Sequence, residues 1–255
     1  MQAVHADDKD VALEVIYRDD RLIAINKPSG LLVHRSNIDR HETRFALQLL
    51  RDQIGQRVYP VHRLDKPTSG VLLFGLDSEA GASLSGQFER REVRKTYLAV
   101  VRGYCPEGGE VNHGLRDKAD GYASATREQL AREAITRFQR LGTVELPYAV
   151  DRYPSSRYSL VQLHPLTGRK HQLRRHMKHI GHPIIGDAKH GKGVHNRFFK
   201  LRYGCDRLLL ACTGMVVTHP DTGNPVVLDA RPGEDFERLV RQLGWADALN
   251  TAVSR

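Results

Sequence analysis

Short apolar runs broken by turn residues open the chain. Residues 13–17 and 22–26 flank the turn Arg18-Asp19-Asp20 and predict a pair of strands. Lys27-Pro28-Ser29-Gly30 is turn chemistry ahead of Leu31-Leu32-Val33, which extends the reading to strand, turn, strand. Residues 43–54 put Phe45, Leu49 and Leu50 on one side and Arg51 and Asp52 toward solvent, so they predict a helix. Two further apolar runs, 58–61 and 71–76, enclose a polar turn over residues 62–70. In residues 78–88 Ala80, Leu84 and Phe88 recur every four positions, with Ser78 as the expected helix cap and Glu79 in the first turn.

The second half alternates between similar signals. Residues 95–103 read as a strand with Tyr97, Ala99 and Val101 on one face and Leu98, Val100 and Arg102 on the other. Residues 104–133 are rich in Gly, Asp, Lys, Arg and Ala, which predicts a long surface excursion. Residues 134–146 fit a helix through Ile135, Phe138 and Leu141, or a strand through Thr136, Phe138 and Arg140. Residues 158–163 form a strand that Thr167-Gly168 turns into a basic segment. There, residues 169–182 predict a short helix ended by Gly181 and Pro183, with Leu173, Met177 and Ile180 as its apolar stripe. Arg174, three residues before Met177, can face inward while Arg175, Lys178 and His179 stay wet. Residues 207–217 and 225–228 add strands, and Phe236, Leu239, Val240 and Leu243 make a helical stripe. Residues 1–12 and 246–255 read as tails around one body. The pattern is α+β, a mostly antiparallel sheet with helices against it.

Charge adds a partner class. The 255 residues carry 39 Lys and Arg against 30 Asp and Glu, a net charge of +9 that favours a polyanion such as nucleic acid. Residues 169–200 hold nine Lys or Arg, six His and a single acid, Asp187, and are the best candidate for such a footprint. Cys105, Cys205 and Cys212 are too scattered for a disulfide framework or a zinc ribbon, which fits a reducing cytoplasm. No apolar run approaches the roughly 18 residues of a membrane span.

The polar turn holds the chemistry. Within His62-Arg63-Leu64-Asp65-Lys66-Pro67-Thr68-Ser69-Gly70, Pro67 and Gly70 make a loop entering a buried strand, and Arg63 and Lys66 favour an ionised Asp65. Taken alone, a loop aspartate beside two cations is more often a solvated ion pair. However, His62-Arg63-Leu64-Asp65 with Thr68-Ser69-Gly70 resembles the signature of RluA-type pseudouridine synthases, which isomerise uridine in structured RNA. The resemblance continues through Lys27-Pro28-Ser29-Gly30 with His34, Lys95-Thr96-Tyr97, and Gly168-Arg169-Lys170-His171-Gln172-Leu173-Arg174-Arg175-His176. It ends in Gly181-His182-Pro183-Ile184-Ile185-Gly186-Asp187, in the family's order.

The resemblance implies one catalytic domain over residues 13–245, with a mixed, mainly antiparallel sheet and a central active-site cleft; too few residues precede Leu13 for the added N-terminal RNA-binding domain that some relatives carry, so none is expected. The isomerisation involves no net redox or hydrolysis, so no cofactor and no metal are expected; the resemblance also favours strand for residues 134–146. Residue by residue, it makes Asp65 the catalytic aspartate and Arg174 its ion-pair partner. Leu173 becomes the pocket wall, and Arg63 helps displace the target nucleotide. Tyr97 would lie against the flipped uracil and act, directly or through water, as the base at C5. His62, Arg169, Lys170, His171 and Arg175 are expected at the RNA surface. Each has a plainer reading: Tyr97 as core with its hydroxyl satisfied, and Arg63 and Arg174 as phosphate contacts. The phrases Leu31-Leu32-Val33-His34-Arg35-Ser36, Arg51-Asp52-Gln53-Ile54-Gly55-Gln56, Arg152-Tyr153-Pro154-Ser155-Ser156-Arg157-Tyr158 and Lys189-His190-Gly191 are similar to the TruC subgroup. That subgroup modifies uridine 65 in the T-arm stem of transfer RNA, so the expected partner is tRNA and the expected form a cytoplasmic monomer.

Other readings are weaker. Residues 186–192 spell G-x-x-x-x-G-K, but Gly193 stands where a phosphate loop needs a hydroxyl, and no following helix is evident. His171, His176, His179 and His182 match no zinc spacing and read as a solvated or RNA-facing surface. A ribosomal RNA synthase of the same family, a non-catalytic RNA-binding protein on this scaffold and a nucleoside hydrolase are the competing functions.

Overall fold

Ten strands form one sheet in a computed structural model that describes residues 12–34, 42–116 and 130–253. In chain order the strands are β1 (Glu14–Arg18), β2 (Leu22–Lys27), β3 (Tyr59–Pro60), β4 (Ser69–Gly75), β5 (Arg94–Arg102), β6 (Gly108–Asn112), β7 (Ile135–Leu146), β8 (Ser156–Pro165), β9 (Leu210–Thr218) and β10 (Pro225–Asp229). The helices are α1 (Ala46–Ile54), α2 (Ser78–Glu89), α3 (Gln172–His179), α4 (Gly193–Tyr203), α5 (Glu234–Gln242) and α6 (Ala246–Val253). The sheet runs β1-β2-β4-β9-β5-β8-β7-β6, with β3 added to β4 and β10 to β9. Among these pairings β4 with β9 is parallel and the rest are antiparallel. This is the α+β architecture expected.

Apolar residues on both faces of the central strands explain why β4 reads as an unbroken run. Leu98, Val100 and Leu160 face a core closed by Phe199, Phe236, Leu239 and Val240. Ala99, Val101, Val161 and Leu163 face the opposite core, which Leu173 and Met177 of α3 complete. Phe236, Leu239 and Val240 are at most 1% exposed, and burying each such side chain contributes ~1.5–3 kcal/mol.

Several boundaries differ from the sequence reading. Leu31-Leu32-Val33 is not a strand beyond one bridge from Leu32 to Phe45. The carbonyls of Leu32 and Val33 instead accept the Ala46 and Leu47 N–H groups at 2.8 and 3.1 Å, which starts α1 at residue 46 rather than 43. Asp77, not Ser78, caps α2, because its carboxylate accepts the Ala80 N–H at 2.8 Å and places Ser78 inside the first turn. Residues 134–146 are strand, as the resemblance implied. The C-terminal stretch is not a tail: α6 buries Leu249 to 2% exposure beside Trp245, whose indole N–H donates to the Thr143 carbonyl at 3.2 Å. A helix, α4, does follow the 186–192 phosphate-loop look-alike. In the 104–133 excursion β6 and a Leu115–Arg132 bridge are ordered structure. Its residues 117–129, the N-terminal tail through residue 11, and Arg35 and Ser36 lie outside the described residues. Among the described residues no helix is long and apolar enough to cross a membrane.

Candidate active site

The Asp65 loop sits on the segment that follows β2. Gly30 N–H donates to the Lys66 carbonyl at 2.9 Å, and the Ser29 hydroxyl to the Pro67 carbonyl at 2.8 Å. Lys27 is fully buried, and its ammonium donates to the carbonyls of Pro28, Leu31 and Lys66 at 2.8, 2.8 and 3.2 Å. The loop ends where β4 meets β9. Gly70 has φ +107°, and a Cβ there would stand 2.0 Å from the Cys212 carbonyl oxygen, so only glycine lets the parallel pair form.

Burial, and next the charge of Arg207, push the Lys27 pKa down to about 7. Lys27→Met leaves the Pro28 and Leu31 carbonyls without this donor and should lower unfolding stability by about 2 kcal/mol in a denaturant titration. Folded Lys27 binds fewer protons than the unfolded chain between about pH 7 and 10.5. Stability of the wild type relative to Lys27→Met should therefore rise with pH across that window. An unchanged denaturation midpoint would show that Lys27 does not brace the loop.

Asp65 is held from α3. Arg174 Nη1 donates to Asp65 Oδ2 at 3.0 Å, while Arg174 Nε and Nη2 both donate to Asp187 at 2.8 Å. The Asp187 side chain is fully buried, that of Arg174 is 7% exposed and that of Asp65 18%. Asp187 Oδ1 also accepts the Lys189 and His190 N–H groups, each at 2.9 Å. Burial alone would raise the Asp187 pKa, but the Arg174 guanidinium and those N–H groups outweigh it and hold the carboxyl below its ordinary value. Burial likewise opposes the charge on Arg174, yet its two carboxylates leave its pKa raised. Asp187 thus fixes Arg174 in a planar, two-point grip and leaves one N–H free for Asp65.

Gln172 fixes the start of α3. Its carbonyl oxygen accepts the Thr167 hydroxyl at 2.7 Å and the Arg169 N–H at 3.0 Å, and its amide donates to the Ile135 carbonyl and Thr136 hydroxyl. His176 is fully buried between Thr136 and the His113 carbonyl, which corrects its expected place on a wet surface. Leu173 is buried, and Tyr97 packs against the same core. Tyr97 lies on β5 opposite Cys212, at a register shift after Thr96. Burial first, then Cys212 and the Asp65 charge, raise the Tyr97 pKa well above 10.0. The phenol stays protonated near neutral pH, which works against a direct phenolate base.

The expected RNA-contact residues divide. Arg63 is exposed beside Asp65, and Arg175 is half-buried on α3. Arg169 is half-buried and donates to the Glu133 carbonyl at 3.0 Å, and Lys170 is half-buried next to it. His171 Nε2 lies 3.9 Å from Asp65 Oδ1. His62 serves the scaffold instead: it stacks on Phe88 at 4.7 Å, and its Nε2 accepts the Leu73 N–H at 3.0 Å. Burial and then Lys95 push its pKa down to about 3, so the ring is neutral and committed to β4 and α2. The sequence reading missed Lys27 and Asp187 as parts of this site. The signal for Asp187 was its standing as the single acid in the basic stretch; the signal for Lys27 was its place in the first family block. Among the described residues no His, Cys, Asp and Glu side chains gather as a group of three or more that could hold a metal ion.

A family model described as RNA pseudouridylate synthase matches residues 21–179, a span that contains the Asp65 loop, Tyr97 and α3. The chain belongs to the RNA pseudouridylate synthase family. A Haemophilus ducreyi relative named tRNA pseudouridine synthase C is 51% identical over 234 residues, covering 91% of this chain and 96% of the relative. A Vibrio vulnificus relative of the same name is 47% identical over 242 residues, 94% of this chain and 99% of its own length. The solved structure of human RNA pseudouridylate synthase domain containing 4 shares the fold, with a TM-score of 0.69 at 24% identity over 91% of this chain and 93% of that one. As a pseudouridylate synthase the protein is an isomerase whose substrate is RNA, which gives the +9 charge its partner.

Proposed function

We propose that this pseudouridylate synthase isomerises a uridine of transfer RNA, uridine 65 in the T-arm stem, with Asp65 as the catalytic carboxylate. The observation that carries the chemistry is the Asp65 carboxylate held at 3.0 Å by Arg174, itself gripped by the buried Asp187. The substrate rests on two relatives, aligned over nearly their whole length, whose name is tRNA pseudouridine synthase C. The reaction breaks the N1 to C1′ bond, turns the uracil and joins C1′ to C5; C5 gives up a proton and N1 gains one, so the balance needs no oxidant and no water. Inside a stacked stem the sugar and both faces of the base are covered, so the nucleotide must leave the helix first. Exposed Arg63, two residues from Asp65, is placed to enter the space it vacates. Tyr97 and Leu173 wall the uracil, and Arg174 orients the Asp65 carboxylate through its hydrogen bond to Oδ2.

Exposed Lys178, Lys189 and Arg197 with Arg175, Lys170 and Arg169 give the phosphate contacts that set affinity and register. Their log affinity for tRNA should fall linearly with log salt, because each phosphate contact releases counterions. A salt-independent titration would exclude this surface. The protein acts as a cytoplasmic monomer in this reading. The test is incubation of the purified protein with unmodified tRNA and, separately, ribosomal RNA, followed by mapping of pseudouridine through chemical labelling and primer extension. A single modified T-stem uridine is the expected result. Conversion in ribosomal RNA alone would reassign the substrate, and binding without conversion would make the protein a non-catalytic RNA binder.

A further inference from the structure

We propose that His171 and His190 form a positioning pair that fixes the Asp65 oxygen that Arg174 does not hold. The inference rests on the catalytic reading of Asp65 above. Arg174 takes Asp65 Oδ2, and Oδ1 faces the His171 ring, whose Nε2 is 3.9 Å away. On its other side, His171 Nδ1 is hydrogen-bonded to His190 Nε2 at 3.0 Å. The His190 backbone N–H is in turn tied to Asp187, the carboxylate that grips Arg174. Arg174, which holds Asp65, and His190, which holds His171, are therefore both tied to one buried acid.

The backbone at His171 is of the kind that glycine adopts most readily. His171 has φ 54° and ψ 28°, one of two non-glycine residues with positive φ among the described residues. It precedes α3 without making a side-chain cap bond, so a glycine would fit the position with less strain. Neither capping nor helix propensity accounts for histidine at this point. A strained residue kept beside a reactive group points to a role in that group's geometry.

Charge decides the tautomer. Asp65, Arg174, His190 and Lys189 are the charged and titratable groups around His171. Burial pushes its pKa down to about 4 and lowers that of His190, so both rings are neutral near pH 7. If His190 donates Nε2–H to His171 Nδ1, His171 carries its proton on Nε2 and turns an N–H toward the carboxylate. The opposite arrangement would set a lone pair against Asp65 Oδ1. The 3.9 Å gap is too long for a hydrogen bond in the free enzyme. For the pair to act, it must shorten to one when the nucleotide enters, as catalytic contacts commonly do. With both oxygens held, the carboxylate no longer rotates, and its remaining lone pairs have fixed directions.

The test compares His171→Gly and His171→Gln with wild type for single-turnover conversion of tRNA, tRNA affinity and melting temperature. His171→Gly should melt at or above the wild-type temperature and bind tRNA unchanged, yet convert it about 10- to 100-fold more slowly. His171→Gln, whose amide N–H can reach the place of imidazole Nε2, should recover much of that rate. A loss of affinity at full rate would instead make His171 an RNA contact, and a lowered melting temperature with no loss of rate would make it scaffold; either overturns the pair. A wild type that forms no pseudouridine would refute the proposed function itself. The pair is then judged by NMR titration of His171, which must move when Asp65 becomes Asn and which contradicts the pair if it does not.

Discussion

Asp65→Asn should abolish pseudouridine formation, by at least ~10³-fold, while tRNA affinity stays within a few-fold of wild type. The amide has the size of the carboxylate, and its oxygen can still accept the Arg174 Nη1–H that now reaches Asp65 at 3.0 Å. Arg174 keeps its two bonds to Asp187, so the site does not collapse. What disappears is the charge and the nucleophilic oxygen pair. In the proposed function affinity comes from phosphate contacts on surfaces the substitution leaves alone. Rate and affinity are separated by single-turnover conversion beside a filter-binding isotherm. Appreciable turnover by a clean mutant would defeat the assignment of Asp65.

Arg174→Leu should damage both fold and chemistry. It strips the cation from Asp187, a carboxylate with no exposed side-chain surface, and breaking one partner of a buried pair costs about 3–5 kcal/mol. It also leaves Asp65 without its partner, so turnover should fall more than affinity. The pH dependence separates this from ordinary loss of packing. In wild type the Asp187 pKa is lowered, so its contribution is complete above about pH 3.8 and is lost as pH falls through the folded value. In the variant, burial without Arg174 raises that pKa, so the folded state takes up the extra proton and the stability deficit should shrink on acidification. Arg174→Leu with Asp187→Leu should regain stability without regaining activity. A pure loss of affinity, with stability and rate intact, would show that Arg174 binds phosphate and does not hold Asp65.

The sequence carried the strands well because their signal is local. Residues 71–76 read as a strand because they are an apolar run bounded by turns, and residues 95–103 because their side chains alternate between two faces. It failed where a distant segment decides the local outcome. Leu31-Leu32-Val33 has strand composition, but its carbonyls are taken by α1, which no local window shows. The last ten residues look like a tail until Leu249 finds the core beside Trp245. At the site, Asp65 and Arg174 were named from motifs 109 positions apart, and the structure joins them. His62, inside the same motif, turned out to stack on Phe88. A motif fixes which residues travel together, not which way each ring points. Asp187 was visible only as an odd charge, because its meaning depends on burial.

Tritium release from tRNA labelled at C5 of uridine tests the central claim most directly, because joining C5 to C1′ expels that hydrogen. Wild type without cofactor should release one tritium per pseudouridine formed and no free uracil, and Asp65→Asn should release none. Free uracil appearing without tritium would mean hydrolysis at Asp65, and tritium release by both proteins alike would mean that the reaction does not run through this carboxylate.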